Sequence, residues 1–240
     1  LIETINYARE KRVPLLARGG GTSQCGQTVN NAIVIDNSKY LNKVLDFNKE
    51  KMTCIVEPGI VLDELNCFLK PYGLWFPVDV STSSRATIGG MAGNNSCGGR
   101  SIRYGMMRDN VIDIEAILYD GSIYNFGNIN NNHINSSKSK AFEIIKKLQE
   151  LAETNKKEII SKFPKVLRRV GGYNIDALLP DAMANRPNGK VGDGINLSHL
   201  LVGSEGTLAY STAITLKLSP LPSKKIMGVC HFPSFYEAMD

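Results

Sequence analysis

The sequence predicts an α+β protein built from two subdomains. Three observations support this class: a strand–glycine loop–strand pattern near the start, two β-hairpins, and helical stripes between and after them. A regular doubly wound sheet would instead alternate strands and helices throughout. The 240 residues are enough for one large domain or two small ones with a buried core.

The first part of the chain predicts short elements joined by glycine- and proline-containing turns. Ile2, Ile5 and Ala8 have helical spacing, without a capping residue before them. The predicted elements are a helix over 1–12, strands over 13–17 and 32–36, a hairpin of 44–48 with 52–57, and a helical stripe (Leu62, Leu65, Phe68, Leu69) ending near Gly73.

The second part opens with residues 77–110, a long stretch of little periodicity that is rich in Gly, Ser and Asn. Such a stretch inside a compact domain is usually functional or disordered. An Asp120-Gly121 pair then favours a hairpin with a type I′ turn. The further predictions are hairpin strands over 111–119 and 122–126, a polar loop over 127–140, a helix over 141–163, a loop over 180–196, strands over 207–218 and 225–232, and a helix beginning in the last nine residues.

Composition excludes several classes of protein. The net charge of +5 is spread along the chain, so we expect no nucleic-acid partner. No nonpolar stretch approaches the roughly 20 residues of a membrane-spanning helix, and the N-terminus lacks the layout of a signal peptide. The five cysteines form no CxxC pair, which predicts reduced thiols in the cytoplasm and no metal site.

A first loop, RGGGTSQCGQT at residues 18–28, carries the first sign of chemistry. Its Gly21, Gly26 and Thr28 match a nucleotide-triphosphate P-loop, but Gln27 replaces the lysine that neutralises the phosphates. The dinucleotide pattern GxGxxG fails too, because Gln24 stands at the third glycine. Consecutive glycines still let several backbone N–H groups converge on one anion, which suits a diphosphate without magnesium. A plain tight turn is the alternative.

Two more glycine-rich segments follow. The second loop, residues 77–105, reads PVDVSTSSRATIGGMAGNNSCGGRSIRYG, and the third loop is GSEG at 203–206, before a strand. Two glycine-rich loops that each follow a strand-like stretch indicate one long ligand held at two places. The third loop by itself would be read as a turn.

Together the three loops resemble the FAD-binding domain of vanillyl-alcohol oxidase-type (PCMH-type) flavoproteins. The motifs that carry the resemblance are RGGGTS, P-x-D followed by TIGGMAGNNSCGG and YG, and VGSEGTL before a strand ending in SPLP. Within that superfamily the chain is similar to FAD-linked oxidases such as D-lactate, glycolate and D-2-hydroxyglutarate dehydrogenases. FPKVLRRVGGYNIDALL at 163–179 resembles the large members fused to an iron–sulfur domain. The resemblance spans nearly the whole chain.

The resemblance implies a fold of two α/β subdomains with FAD between them, and a role for each loop. The first loop would wrap the pyrophosphate, the second would line the flavin, ribityl and diphosphate path, and the third would add a further contact. The implied FAD-binding residues are Arg18, Gly19, Gly20, Gly21, Thr22, Ser23, Gln24, Pro77, Asp79, Thr87, Ile88, Gly89, Gly90, Ala92, Gly93, Asn95, Ser96, Gly98, Gly99, Tyr104, Gly105, Glu205 and Gly206.

The mode of FAD attachment follows from the same resemblance. Many relatives attach FAD covalently through a histidine in the first loop or a cysteine in the second. The first loop has no histidine, and although Cys25 and Cys97 lie in the two loops, the most similar relatives bind FAD without a covalent bond. We therefore expect non-covalent FAD.

The departures from the family are as informative as the matches. Relatives take the substrate carboxylate ligands and the catalytic base mostly from a cap domain, which would follow residue 240, and they usually have a strand before the first helix. The four-cysteine clusters of an iron–sulfur domain are also absent, so any such cluster belongs to the rest of a parent protein. The expected division is a first FAD-binding subdomain at 1–57, a second at 58–222, and the start of a cap domain at 223–240.

The expected function is therefore the cofactor half of a flavin-dependent oxidoreductase that oxidises a small 2-hydroxy acid. The chain alone is expected to be inactive, its catalytic residues are unassigned, and its electron acceptor is unknown. Peripheral association with the inner membrane through the parent is an alternative to a purely cytoplasmic location. Two other functions stay open: a non-catalytic nucleotide-binding fragment, and a flavoenzyme similar to UDP-N-acetylenolpyruvoylglucosamine reductase.

Overall fold

The structure is a computed structural model that describes residues 1–129, 140–179, 195–224 and 226–240. Its helices are α1 (Ile2–Lys11), α2 (Leu62–Leu69), α3 (Ile88–Gly93), α4 (Ser101–Tyr104), α5 (Met107–Asn110), α6 (Lys140–Thr154), α7 (Lys156–Lys162), α8 (Ser198–Leu201) and α9 (Phe235–Met239). Two 3-10 turns span Lys70–Tyr72 and Ile175–Leu178.

The strands form one larger sheet and three pairs. They are β1 (Leu15–Arg18), β2 (Ile33–Asp36), β3 (Val44–Asn48), β4 (Thr53–Val56), β5 (Leu74–Trp75), β6 (Val111–Ile117), β7 (Ile123–Phe126), β8 (Asn128–Ile129), β9 (Ile195–Asn196), β10 (Tyr210–Lys217) and β11 (Ser219–Pro220). The larger sheet is antiparallel, in the order β3-β4-β10-β6-β7. The pairs are β1 with β2, which is parallel, and the antiparallel β5 with β11 and β8 with β9. The mixture confirms the predicted α+β class.

The main core lies between the larger sheet, α2 and the short helices of the second loop. Strand β10 alternates there, with Ile214 and Leu216 fully buried. Helix α2 adds Leu62, Leu65 and Leu69, which recur at the helical spacing predicted from sequence. The second loop adds Ile88, Met91 and Ala92 to the same core, and Met107 of α5 follows directly after it. The second loop is therefore fixed to the centre of the molecule.

Two smaller clusters complete the packing of the described residues. Ile5 of α1 packs with Ile117 and Tyr210 at one end of the sheet. Helices α6 and α7 pack against the second 3-10 turn and α8 through Ala152, Ile159, Leu178, Leu179 and Leu200.

Several sequence predictions are confirmed and several need correction. The β3–β4 and β6–β7 hairpins form as predicted. The first strand begins at Leu15 instead of residue 13, because the Val13 amide still bonds to Ala8 of α1 and Pro14 has no N–H. The predicted type I′ turn is wrong, because such a turn needs positive φ at two central residues and only Gly121, not Asp120, has it.

The later elements also differ in part from expectation. The predicted helix over 141–163 is two helices that meet at Asn155, whose side chain bonds back to the Leu151 carbonyl at 2.8 Å. In the described part of 225–232 no strand forms, and its residues are exposed. The predicted loops over 127–140 and 180–196 lie mostly outside the described residues. Helix α9 confirms the predicted final helix.

The predicted division of the chain at residue 57 stays a prediction. Strand β4 ends at Val56 and pairs directly with β10, so sheet hydrogen bonds cross the expected boundary. Among the described helices, none has the length and nonpolar character to span a membrane. Within the same ranges, no group of three or more acidic, cysteine or histidine side chains could hold a metal ion. All five cysteines are free thiols.

Candidate functional site

The first loop leaves the sheet at the end of the parallel β1–β2 pair. Arg18 Nη1 lies 3.7 Å from Asp36 Oδ2, and its side chain is half-exposed. The Ser38 hydroxyl, aided by the charge of Arg18, lowers the pKa of the Asp36 carboxyl group. The Arg18 Nε is buried without a hydrogen-bond partner among the described residues. The guanidinium therefore keeps donor capacity beside the loop.

The backbone of the first loop lacks hydrogen-bond partners among the described residues. Residues 19–25 neither donate nor accept a hydrogen bond in the described parts of the chain. Ser23, Gln24 and Cys25 are exposed. Because an N–H group needs a partner, this run of donors is satisfied by water or by an anion. The observation favours the anion-binding interpretation over a tight turn, which would bond across itself.

The glycines of the first loop lie directly against the second loop. A Cβ added to Gly19 would be 2.2 Å from Thr87 Oγ1, and one added to Gly20 would be 2.0 Å from the Arg85 carbonyl oxygen. A side chain at Gly19 would displace the Thr87 hydroxyl, and one at Gly20 would require the backbone to move. The structure thus brings the first two predicted segments together and explains two of the three consecutive glycines sterically. The third, Gly21, has φ of +67°.

The second loop begins with a helix that is capped and anchored. Thr87 caps α3, its hydroxyl accepting a bond of 3.3 Å from the Gly90 amide. The Ile88 and Gly89 amides donate to the Ile60 and Pro58 carbonyls at 2.9 and 2.7 Å. This part of the loop is rigid before any ligand arrives.

Asp79 and Gly98 organise the end of the second loop. The Asp79 carboxylate accepts a 3.1 Å bond from the Arg100 amide, and a Cβ on Gly98 would lie 2.2 Å from the Asp79 carbonyl oxygen. The Arg100 guanidinium stacks 4.9 Å above the ring of Trp75, which also packs edge-on against Tyr104 at 5.4 Å. In this structure Asp79 supports the loop from within.

The third loop docks on the second through backbone bonds. The Gly203 amide donates to the Ala92 carbonyl at 2.9 Å, and the Glu205 amide donates to Gly93 at 3.0 Å. Glu205 and Asn95 are non-glycine residues with positive φ, +53° and +49°. Such conformations cost about 1–3 kcal/mol each and gather at functional sites. Partial burial raises the pKa of the Glu205 carboxyl group.

Residues 168–176 join the site, although sequence reasoning gave them no place in it. The Arg168 guanidinium donates to the Gly98 carbonyl at 3.3 Å, and the Tyr173 hydroxyl lies 2.8 Å from the Thr207 hydroxyl. Asn174 is buried and contacts both Arg108, just after the second loop, and the segment before the third. The signal in the sequence is the RRVGGYN stretch at 168–174, which carries the family resemblance but matches no binding motif.

Arg108 is a further residue that the sequence did not reveal. It is 3% exposed, its Nη1 donates to Asn174 Oδ1 at 2.7 Å, and its Nε has no hydrogen-bond partner among the described residues. Burial lowers the pKa of Arg108 to about 10, an effect opposed by nearby Asp109 and increased by Arg169. A cation that is buried and incompletely paired therefore lies behind the second loop.

The predicted residues thus form one contiguous arrangement of three loops. The first loop touches the second at Thr87 and Arg85, and the second touches the third at Ala92 and Gly93. No direct bond joins the first and third loops in the described ranges. The first loop offers exposed backbone donors and Arg18, and the second loop adds closely packed glycines beside it. This combination suits an elongated anionic ligand.

Comparison with known proteins identifies a family that binds a ligand of this kind. A family model described as FAD binding domain matches residues 1–127. D-2-hydroxyglutarate dehydrogenase of Pseudomonas putida is 33% identical over 234 residues, which cover 96% of this chain and 22% of that protein. A mitochondrial D-lactate dehydrogenase (cytochrome) of Arabidopsis thaliana is 30% identical, over 98% of this chain and 31% of that protein. The chain thus spans between about a fifth and a third of these relatives.

A solved structure shares the fold at lower identity. An alkyldihydroxyacetonephosphate synthase superposes with a TM-score of 0.58 and 20% identity, over 93% of this chain and 32% of that one. The likeness covers a larger share of this chain than the residues 1–127 that the family model matches. It supports the fold alone.

Proposed function

The chain belongs to the FAD binding domain family, and on that premise we propose that it is the cofactor-binding part of an oxidoreductase that oxidises a small 2-hydroxy acid. The relatives named as D-2-hydroxyglutarate and D-lactate dehydrogenases support this substrate class. Bound FAD supplies the two-electron acceptor, and the protein supplies binding, orientation and electrostatics.

The residues present fit FAD. The carrying observation is the run of free backbone donors at residues 19–25, beside Arg18 and in contact with the glycine-rich second loop. A pyrophosphate accepts such donors, and Arg18 adds a positive charge next to it. The absence of Cβ at Gly19 and Gly20 keeps the two loops close enough to hold one ligand together.

The remaining candidate residues have two kinds of role. The anchored start of the second loop would line the path of the cofactor with Thr87, Ile88, Gly89, Gly90, Ala92 and Gly93. The lining would continue with Asn95, Ser96, Gly98, Gly99, Tyr104 and Gly105. The third loop would add a contact through Glu205 and Gly206. Pro77 and Asp79 would act from beneath, because Asp79 already supports the loop.

The parent protein's organisation follows as part of the proposal. Residues 1–57 and 58–222 would form the two subdomains that flank FAD, and 223–240 would lead into a substrate-binding domain. We assign the protein to the cytoplasm, and the substrate to one of D-lactate, glycolate and D-2-hydroxyglutarate. We place no catalytic base in this chain.

Titration of the apoprotein with FAD, followed by flavin fluorescence and calorimetry, tests the cofactor. Arg18→Ala should weaken FAD binding about tenfold, because a charge-assisted contact to phosphate is lost. Arg12→Ala is the matched control, since it removes the same charge from the exposed end of α1 and should change little. The protein should bind no ATP. A wild-type protein that cannot be loaded with FAD would overturn the proposal.

Two further measurements address attachment and substrate. Acid precipitation should release all flavin into the supernatant, since we propose a non-covalent complex; flavin left in the pellet would point to Cys25 or Cys97. Loss of flavin colour in the parent protein, mixed separately with D-lactate, glycolate and D-2-hydroxyglutarate, identifies the substrate. No bleaching by any of the three would contradict the 2-hydroxy-acid assignment.

A further inference from the structure

Asn174 makes four hydrogen bonds with its side chain and is 1% exposed. Its Oδ1 accepts from Arg108 Nη1 at 2.7 Å and from Arg169 Nη2 at 3.1 Å. Its Nδ2 donates to the carbonyls of Val202 at 2.7 Å and His199 at 3.2 Å. An amide can accept two bonds and donate two, so the full capacity of Asn174 is used.

The two ends of this amide serve different parts of the site. Guanidinium groups only donate and carbonyl groups only accept, so the orientation of the amide is fixed by its partners. The acceptor end holds the arginines that lie behind the second loop. The donor end holds the last turn of α8 and Val202, which leads directly into the third loop at Gly203. One side chain therefore links two arginines behind the second loop to the segment that leads into the third.

The arginines continue the connection into the second loop. The Arg108 amide donates to Asn95 Oδ1 at 3.1 Å, and Asn95 Nδ2 donates to the Arg169 carbonyl at 3.4 Å. Asn95 is fully buried and has positive φ, a conformation that persists only when its surroundings hold it. A Cβ on Gly203 would lie 3.3 Å from Asn174 Nδ2 and 3.4 Å from Asn95 Cβ. The loops and the network are thus in direct contact.

The arrangement is energetically expensive for a purely structural element. Two guanidiniums converge on one neutral amide oxygen, and burial lowers the pKa of each. The nearby carboxylates are Asp176, which is 2.7 Å from Arg169 Nη2, and Asp109, which is 3.9 Å from Arg108 Nε. Nonpolar side chains of similar volume often stabilise a core equally well or better, so stability alone gives this buried polar cluster no advantage.

We propose that Asn174 is a positioning residue that locks the second and third loops into the single arrangement that accepts FAD. The proposal deepens the proposed function and rests on it. The two ends of the Asn174 amide can be tested separately, because Oδ1 bonds to the arginines behind the second loop and Nδ2 bonds to the segment before the third.

The test combines amide hydrogen exchange of the apoprotein with FAD titration. In Asn174→Ala, the Gly203 and Glu205 amides, which bond to the second loop, should exchange about tenfold faster or more without FAD present. The FAD dissociation constant should rise by a similar factor. The control is Leu65→Ala in α2, which removes a fully buried core side chain and lowers global stability. It should leave the FAD dissociation constant of the folded protein unchanged.

Asn174→Asp separates the two ends. A carboxylate still accepts from both arginines but cannot donate to the Val202 and His199 carbonyls. The Gly203 and Glu205 amides should then exchange faster, whereas the Arg108 amide, bonded to Asn95, should keep wild-type protection. Uniform loss of protection at all three amides would overturn the two-ended role.

The remaining outcomes distinguish this inference from the proposed function. Equal losses of FAD affinity in Asn174→Ala and Leu65→Ala, at matched stability, would reduce Asn174 to a structural residue and overturn the inference. Wild-type protein without FAD affinity would overturn the proposed function itself. The exchange rates of the apoprotein would still decide whether Asn174 locks the loops.

Discussion

The first and second loops would hold the same cofactor, yet they are built in opposite ways. Residues 19–25 make no hydrogen bonds among the described residues, and Ser23, Gln24 and Cys25 are exposed. The second loop places Ile88, Met91 and Ala92 in the main core and bonds its backbone to Ile60 and Pro58. The second loop is thus preformed, whereas the first loses conformational freedom when its donors meet an anion.

This difference predicts that glycine substitutions will have different consequences in the two loops. In the second loop, a substitution that displaces the backbone must also disturb the core. In the first loop the same displacement should spare the fold and affect ligand binding alone. Measurements of unfolding free energy and FAD affinity on each variant therefore sharpen the comparison.

Gly98→Ala should have the largest combined effect. The new Cβ would lie 2.2 Å from the Asp79 carbonyl oxygen and 2.3 Å from Asp79 Oδ1, so the backbone must move. Overpacking of this kind costs about 1–3 kcal/mol of unfolding free energy, measured by urea denaturation. FAD affinity should fall as well.

The adjacent glycine supplies the control for that variant. At Gly99 the nearest atom to a new Cβ is Asp79 Oδ2 at 4.0 Å, which is ordinary contact. Gly99→Ala should therefore retain wild-type stability. Equal destabilisation by the two variants would show that the preformed character of the loop has another origin than the Asp79–Gly98 contact.

Gly20→Val should reduce FAD affinity about tenfold or more while unfolding free energy stays within roughly 0.5 kcal/mol of wild type. The added side chain meets the Arg85 carbonyl oxygen, and the first loop can move away because nothing else in the described chain bonds to it. Gly228→Val is the control, since Gly228 is exposed, lies outside the three loops, and a Cβ there meets nothing within 4 Å. Unchanged FAD affinity in Gly20→Val would make the first loop a plain turn.

Gly98 and Gly99 also show where sequence reasoning reaches its limit. Both stand in the same SCGGR stretch, and the glycine pattern assigned both to the FAD site. Their roles differ only because Asp79, 19 or more positions earlier, lies against one of them. A local pattern finds the loop, but the steric demand on each glycine depends on contacts made by folding.

The same reason explains why the Asn174 network was not predicted. The bond between Arg108 and Asn174 joins residues that are 66 positions apart, and neither lies in a periodic stretch. By contrast, the two hairpins and α2 were predicted correctly, since alternation, turn residues and helical spacing are local signals. Residues 225–232 were predicted as a strand and yet form none in their described part, because a strand needs a partner as well as suitable residues.

Thr87→Ala tests the contact between the two loops more gently. Loss of the cap on α3 should lower the unfolding free energy by about 1 kcal/mol. The Thr87 hydroxyl also faces Gly19, so FAD affinity should fall a few-fold. Thr87→Ser restores the hydroxyl and should recover both properties. If Thr87→Ser recovered stability but not FAD affinity, the loss of affinity would be due to the missing methyl group of Thr87 and not to its hydroxyl.

The cysteines provide the mildest test, because two of them report on the two kinds of environment. Cys25 is exposed on the first loop, whereas Cys54 is buried in β4, and burial, together with the charge of Asp46, raises the pKa of its thiol from 9.0 to about 12. At neutral pH a thiol reagent should modify Cys25 quickly and Cys54 only after unfolding. Bound FAD should slow the reaction at Cys25 but not at the exposed Cys67 of α2. Equal protection of Cys67 by FAD would mean that the slowing is not local to the first loop.

The raised pKa of Cys54 also has a signed effect on stability. A pKa that is higher in the folded protein means that folding favours the neutral thiol, so this contribution is complete below pH 9.0 and is lost as the pH rises towards about 12. Cys54→Ala should start less stable, because a buried side chain is shortened, but should lose less stability over that interval than the wild type does. If unfolding free energy fell in parallel with pH in the two proteins, the Cys54 thiol would ionise as easily in the folded state as in the unfolded one. That result would contradict the burial of Cys54 in the core.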